Sequence, residues 1–182
     1  MDKKPPKDVT WQTWSWKTPG EEKTARLKCV INNKENKKIL FEGAQGTMLD
    51  VDFGTYPYVT SSNSTSGGAI TGSGIVLGYI EGVVAIIKSY TTRVGEGPFV
   101  TELLDEKGGL IREKAHEYGV VTHRPRRIGW LDLVQLKYSR NVNGFKYGAL
   151  MLFDILSNLG DINVCVAYEL DGKVIDYVPA SL

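Results

Sequence analysis

Cysteine and histidine are scarce: two of each in 182 residues. Cys29 and Cys165 stand alone, without the paired spacing of a zinc site, and are expected to be reduced, buried thiols. His116 and His123 belong to no metal cluster and no Ser-His-Asp set, and there is no G-x-x-x-x-G-K-[ST] phosphate loop, so a hydrolase reading has no anchor. His116 reads as solvated and His123 as a spacer within a basic loop. Long apolar runs are missing too. The longest, residues 75–87, is broken by Gly78, Glu81 and Gly82 and is too short to span a bilayer. The Lys- and Pro-rich beginning has no apolar stretch of its own and does not resemble a secretory or transit signal, so a cytoplasmic protein is expected. A net charge of +1 gives no general attraction to nucleic acid or acidic membrane.

What is present suits one domain with a real core: 42% hydrophobic, 24% charged and 20 glycines. Residues 1–36 read differently from the rest. They hold Trp11, Trp14 and Trp16 with several Lys-Pro signals and no clear period, and are expected to be a divergent, loosely ordered segment. From residue 37 the pattern sharpens. Residues 38–41 (KILF) predict a short buried strand, closed by a turn at Gly43 and Gly46. Gly67 and Gly68 lead into a glycine-rich bend over 69–74. Residues 75–82 predict a helix and 83–90 (VVAIIKSY) a strand. A surface helix is expected over 105–118, a second helix over 131–141, and strands over 149–155 and 164–170. Asp171-Gly172 is a hairpin signal with its return strand at 174–178. The fold class predicted is α/β, a mixed sheet with flanking helices and an antiparallel hairpin.

Four stretches carry the candidate chemistry. In GAQG the glycines let backbone approach a ligand, and the Gln45 amide both donates and accepts; a plain strand-to-loop turn is the alternative. Residues 55–65 (TYPYVTSSNST) offer hydroxyls and an amide that suit a phosphate, or form an ordinary polar turn. Residues 122–127 (THRPRR) place Arg124, Arg126 and Arg127 on a loop stiffened by Pro125, fitting a small anion better than a nucleic acid, because no aromatic platform is interleaved. Arg93, in TTRVGEG, is either an anion contact or a loop salt bridge.

Taken together, ILFEGAQGTMLDVDFGTYPYVTSSN, TGSG, YTTRVGEGPF, RPRR with GWLD, NVCVAYELDGK and PASL resemble the adenylosuccinate synthetase family, in that family's order, over residues 37–182. The resemblance implies a partial domain of a larger α/β enzyme, a homodimer that ligates L-aspartate to IMP using GTP and Mg2+ in purine biosynthesis. Site by site, it implies IMP contacts from Gln45, Thr60, Val94 and Arg124. It implies aspartate contacts from Val120, Val121, Thr122, His123, Arg124, Pro125 and Arg126. GTP contacts are implied for Arg126, Leu152, Phe153 and Asp154.

The chain departs from the family where Leu152 and Phe153 stand beside Asp154 in place of a usual Lys, where Val121 replaces a common Thr, and where His123 replaces a common Gly. The family's opening phosphate loop with its catalytic Asp, its catalytic His and the metal ligands are expected to lie outside this truncated sequence. A non-catalytic IMP-binding or assembly fragment, and a ligase for another purine monophosphate, are the alternative readings.

Overall fold

In a computed structural model the structure describes residues 39–120 and 123–180, together with the strand backbones β1 (Trp11–Thr18) and β2 (Glu21–Lys28). The chain divides into two compact units, residues 1–42 and 43–182. In the first, β1 and β2 pair antiparallel from Trp11 opposite Lys28 to Thr18 opposite Glu21. The strand expected at 38–41 is not formed over its described residues, 39–41. Residues 39–41 are irregular and exposed, Leu40 to 93%, because no described strand pairs with them and an unpaired apolar run has nothing to bury against.

The second unit is α/β. Its core sheet joins β4 (Tyr90–Arg93), β5 (Arg127–Asp132) and β7 (Val164–Cys165). β4 runs antiparallel to β5, and β7 runs parallel to it, so the sheet is mixed. Tyr90, Ile128 and Trp130 from the sheet pack with Ile111 of α2 (Glu106–Lys114) and Leu156 of a short 3-10 helix, Phe153–Leu156. Ile111, on a helix read as superficial, is fully buried. Gly129 is required at the centre of β5: a Cβ there would meet the Phe99 ring at 2.5 Å.

Two of the three α-helices among the described residues start on an aspartate. Asp105 accepts from the Gly108 N–H at 3.2 Å, and Asp132 from the Gln135 N–H at 2.9 Å. Asp132 ends β5 and caps α3 (Leu133–Asn143), and it also accepts the Tyr168 hydroxyl at 2.6 Å. One carboxylate thus fixes the strand-to-helix corner and the strand β8 (Tyr168–Leu170). β8 turns through Asp171 and Gly172, both at positive φ, into β9 (Lys173–Ile175), as the Asp-Gly signal predicts.

A second, parallel pair joins β3 (Val84–Lys88) to β6 (Tyr147–Met151). The helix expected over 75–82 is replaced by irregular chain and a single 3-10 turn, Leu77–Tyr79, since Gly74, Gly78 and Gly82 weaken any helix there. The bend at 69–74 is instead α1 (Gly67–Ser73), closed by Gly74 at φ 73. The strand expected to reach Ile155 stops at Met151, where Leu152 takes φ 61 and starts the 3-10 helix. Cys165 is a half-buried free thiol whose pKa is pushed up by burial and by Asp132, while Cys29 lies outside the described residues.

The hydroxyl-rich loop 46–66 is organised from within by Asp50, which is fully buried. One carboxylate oxygen accepts the N–H groups of Asp52 and Phe53 at 2.9 and 3.0 Å; the other accepts that of Thr65 at 2.9 Å. From outside, Asn143 at the end of α3 accepts the Ser66 N–H at 2.7 Å and donates to the Thr47 hydroxyl at 2.9 Å. Replacing Asp50 by alanine strands three backbone donors, and the expected loss is about 3 kcal/mol of unfolding free energy. Urea denaturation measures it; a loss below about 1 kcal/mol contradicts this role for Asp50.

Candidate functional site

The ends of β4 and β5 carry the site. Register places Arg93 opposite Arg127, two like charges that a two-stranded pair would ordinarily avoid. Each has its own counterweight. Arg127 makes a bidentate pair with Glu102, with Nε 2.7 Å from Oε1, and Nη1 donates to the Gly97 carbonyl at 2.8 Å. Arg93, 8% exposed, is satisfied by neutral acceptors: Nε donates to the Glu96 carbonyl at 2.9 Å, and Nη2 to the Thr55 hydroxyl at 2.9 Å and the Tyr58 carbonyl at 3.0 Å. Burial and the nearby charge of Arg127 lower the Arg93 pKa from its usual value, while the hydrogen bonds to Glu102 raise that of Arg127. Arg93 forms no salt bridge among the described residues: its guanidinium is a staple between loops, bonded to backbone carbonyls and a hydroxyl.

The two arginines grip residues 95–97 from both sides. Gly97, at φ 107, lies so close that a Cβ would meet Arg93 Nη2 at 2.3 Å. This grip sets one wall of a cleft of about 340 Å³ lined by Leu49, Tyr58, Val59, Thr60, Val94 and Glu96. Thr60 and Val94, drawn from stretches far apart in sequence, face the same space. Thr60 is held by its N–H, which donates to the Leu49 carbonyl at 2.7 Å. Gln45 is exposed and is not in the cleft lining; its backbone takes φ 61.

On the other side of Arg127 is the arginine loop, residues 119–126. It is closed by two backbone bonds, Gly119 N–H to the Arg124 carbonyl and Arg126 N–H to the Glu117 carbonyl, both 2.9 Å. A bridge pairs Tyr118 with Pro125. Val120 is 85% exposed. Arg124 is exposed, and its guanidinium has no partner among the described residues. His123 is exposed at φ 50 and its N–H donates to the Gly119 carbonyl. Val121 and Thr122 lie outside the described residues. Arg126 is half-buried against Glu117, with Nη1 2.7 Å from Oε2.

The third part is residues 152–157. Leu152, Phe153 and Asp154 are exposed, and the Leu152 carbonyl accepts the Ser89 hydroxyl at 2.9 Å. Lys114, in the last turn of α2, donates to the carbonyls of Ile155 and Ser157 at 2.9 and 2.8 Å. Sequence reading missed Glu102 and Glu117. The signal for them was a near-neutral net charge in a chain with clustered arginines, which requires acids nearby. Among the described residues no three His, Cys, Asp or Glu side chains converge on a common position. No helix among the described residues is long and apolar enough to cross a membrane.

The geometry defines an α/β protein whose strand ends hold a loop-built cleft beside a guanidinium-rich loop, an arrangement suited to a small anionic ligand. The model of the adenylosuccinate synthetase family matches residues 21–182, and the chain belongs to that family. It is 63% identical over 145 residues to the adenylosuccinate synthetase of Limosilactobacillus fermentum, covering 80% of this chain and 34% of that protein. To that of Clostridium botulinum it is 58% identical over 156 residues, covering 86% and 36%. The fully ligated enzyme from Plasmodium falciparum superposes with a TM-score of 0.79 at 47% identity, over 82% of this chain and 36% of that one. The cyanophage S-2L succinoaminodeoxyadenylate synthetase, bound to dGMP and dATP, gives 0.51 at 27% identity, over 69% and 41%. The chain therefore spans about a third of the length of the curated relatives it matches.

Two predictions follow from these loops. Glycine at His123 removes a left-handed strain of about 1–2 kcal/mol, offset by about 0.5–1 kcal/mol of chain entropy. His123→Gly is thus expected to raise stability by up to about 1.5 kcal/mol; a urea midpoint that falls contradicts it. Three carboxylates set the acid limb. Burial acts to raise the pKa of Asp50, but the N–H groups of Asp52, Thr65 and Phe53 hold it below its ordinary value. Burial likewise opposes, and Lys88, Tyr90 and Arg126 outweigh it, at Glu117. Glu102 is held low by Arg127. A lowered folded pKa contributes stability above the unfolded value, so stability is expected to be flat above about pH 5 and to fall steeply below about pH 4. Urea midpoints measured from pH 7 to pH 3 check this; a midpoint that rises on acidification contradicts it.

Proposed function

We propose that this chain carries the nucleotide-monophosphate and aspartate side of an adenylosuccinate synthetase, which joins L-aspartate to IMP at the expense of GTP in purine biosynthesis. The single observation that supports this reading most is the shared cleft of Thr60 and Val94, tied by Arg93 and Arg127 to the loop bearing Arg124 and Arg126. In this reading Thr60 donates its hydroxyl to the IMP phosphate, Val94 lies along the ribose, and Gln45 contacts the base oxygen. Residues 120–126 receive the aspartate, with Arg124 between it and IMP and Arg126 on its carboxylate and toward GTP. Leu152, Phe153 and Asp154 face the guanine, the Asp154 carboxylate accepting its N–H edge.

In the reaction, the base of IMP gives up its N1 proton as the terminal phosphoryl of GTP passes to the base oxygen, leaving GDP. The aspartate amine then adds at that carbon, phosphate departs, and the amine gives up a proton. What these residues contribute is binding and orientation: paired guanidinium and hydroxyl donors that bring two anions, which repel each other in water, within reacting distance. The catalytic Asp and His and the Mg2+ ligands belong to the rest of the relatives' length, and a homodimer in the cytoplasm is the assembly and location this family reading carries.

The larger likeness to the Plasmodium enzyme than to the cyanophage one favours IMP over dGMP as the monophosphate. Calorimetry on the 182-residue chain is the test. IMP is expected to bind more tightly than dGMP, and Thr60→Val to weaken IMP about 10- to 100-fold, the effect of one hydrogen bond to a charged group. Heat of binding from dGMP alone, or IMP affinity untouched by Thr60→Val, contradicts the assignment.

A further inference from the structure

Glu117 accepts from three side-chain donors, more than any other carboxylate among the described residues. It is 3% exposed. Its Oε1 accepts Lys88 Nζ at 2.6 Å and the Tyr90 hydroxyl at 2.7 Å, and its Oε2 accepts Arg126 Nη1 at 2.7 Å. Its backbone carbonyl accepts the Arg126 N–H at 2.9 Å, and the Arg126 carbonyl in turn accepts Arg112 Nε at 2.8 Å. Arg126 is therefore held at both its main chain and its guanidinium. The other edge of that guanidinium is different. Nε is buried and has no partner, and Nη2 has none either among the described residues. Nε and Nη2 together form the fork that accepts a carboxylate in bidentate fashion. A buried orphan donor is costly and rare, and a pairing anion relieves it.

We propose that Glu117 is a positioning residue: by occupying Nη1 it fixes the plane of the Arg126 guanidinium and leaves the Nε–Nη2 edge for a ligand carboxylate. The proposal rests on the aspartate-side reading given above. It also explains why the acid is buried among three donors. Lys88 at the end of β3 and Tyr90 in β4 anchor the carboxylate to the sheet, so that Arg126, on a loop, inherits the sheet's rigidity. Lys114, three residues upstream of Glu117, fastens the same end of α2 to residues 155 and 157. One short stretch thus registers the arginine loop against the segment bearing Asp154.

The test uses the 182-residue chain and two separate readouts. The first is nitrogen-detected NMR of arginine side chains, without ligand. Arg126 is expected to show resolved, slowly rotating Nη signals, unlike exposed Arg124, and to lose them in Glu117→Gln and Glu117→Asp while the amides of β4 and β5 stay in place. The second is calorimetry of L-aspartate in the presence of IMP on Glu117→Gln, Arg126→Gln and the double variant. Each single change is expected to weaken aspartate about tenfold to a hundredfold, and the double variant no more than Arg126→Gln alone. Lys88→Met, which removes a different partner of Glu117, is expected to lower stability while leaving the Arg126 signals resolved.

Losses that multiply in the double variant, or Arg126 signals unchanged in the Glu117 variants, overturn the proposal. So does a freely rotating Arg126 in the unsubstituted chain, a result that stands even if no Glu117 variant folds. Failure of the unsubstituted chain to bind aspartate with IMP overturns the functional reading instead, and leaves the NMR outcome to decide the role of Glu117.

Discussion

Two guanidinium groups side by side on neighbouring strands are the constraint on which the site depends. The β4–β5 ladder puts Arg93 opposite Arg127, and that juxtaposition is tolerable only because the donors of each are satisfied differently. Arg127 has the Glu102 carboxylate; Arg93 has carbonyls and a hydroxyl in a buried setting. The requirement for those acceptors is what draws loop 55–58 and loop 95–97 onto the strand ends. A cleft wall made of loops is thereby given the precision of a sheet, which loops alone do not have. The tight fit around Gly97 shows how little slack remains.

The same logic recurs one layer out. Asp50 orders loop 46–66 from inside by accepting three backbone donors, and Asn143 ties that loop to α3 from outside. Asp132 joins a strand, a helix cap and Tyr168. Glu117 joins β3, β4 and the arginine loop. In each case a buried acid satisfied by several donors holds together segments distant in sequence, at positions where an unpaired charge would be strongly destabilising.

Much of this was legible from residues alone, and the reasons divide cleanly. The Asp171-Gly172 turn, the second and third helices and the α/β class follow from local chemistry: turn residues, periodicity and aspartate caps. The stretches proposed to face the ligand stood out because hydroxyls, glycines and arginines cluster in sequence. What failed were apolar runs judged without their neighbours. Residues 39–41 read as a buried strand, but burial comes from a partner and none of the described strands supplies one. Residues 75–82 read as helix, yet three glycines and tertiary context left a single turn. The near-neutral charge called for acids near the arginines but could not single out Glu102 and Glu117, because Arg127 and Arg126 are 25 and 9 residues away from them and only the fold closes those distances. The left-handed backbones at Gln45, His123 and Leu152 were equally unreadable, since none of these residues announces a positive φ as glycine does.

The central claim is that the hydroxyl-rich cleft and the arginine loop are one ligand site joined through Arg93 and Arg127. It is tested most directly by backbone amide shifts of the chain during a titration with IMP. The account predicts that amides of residues 58–60, 94–97 and 119–126 move together along one binding curve. Movement confined to one of these stretches, or separate curves for the cleft and the arginine loop, contradicts it.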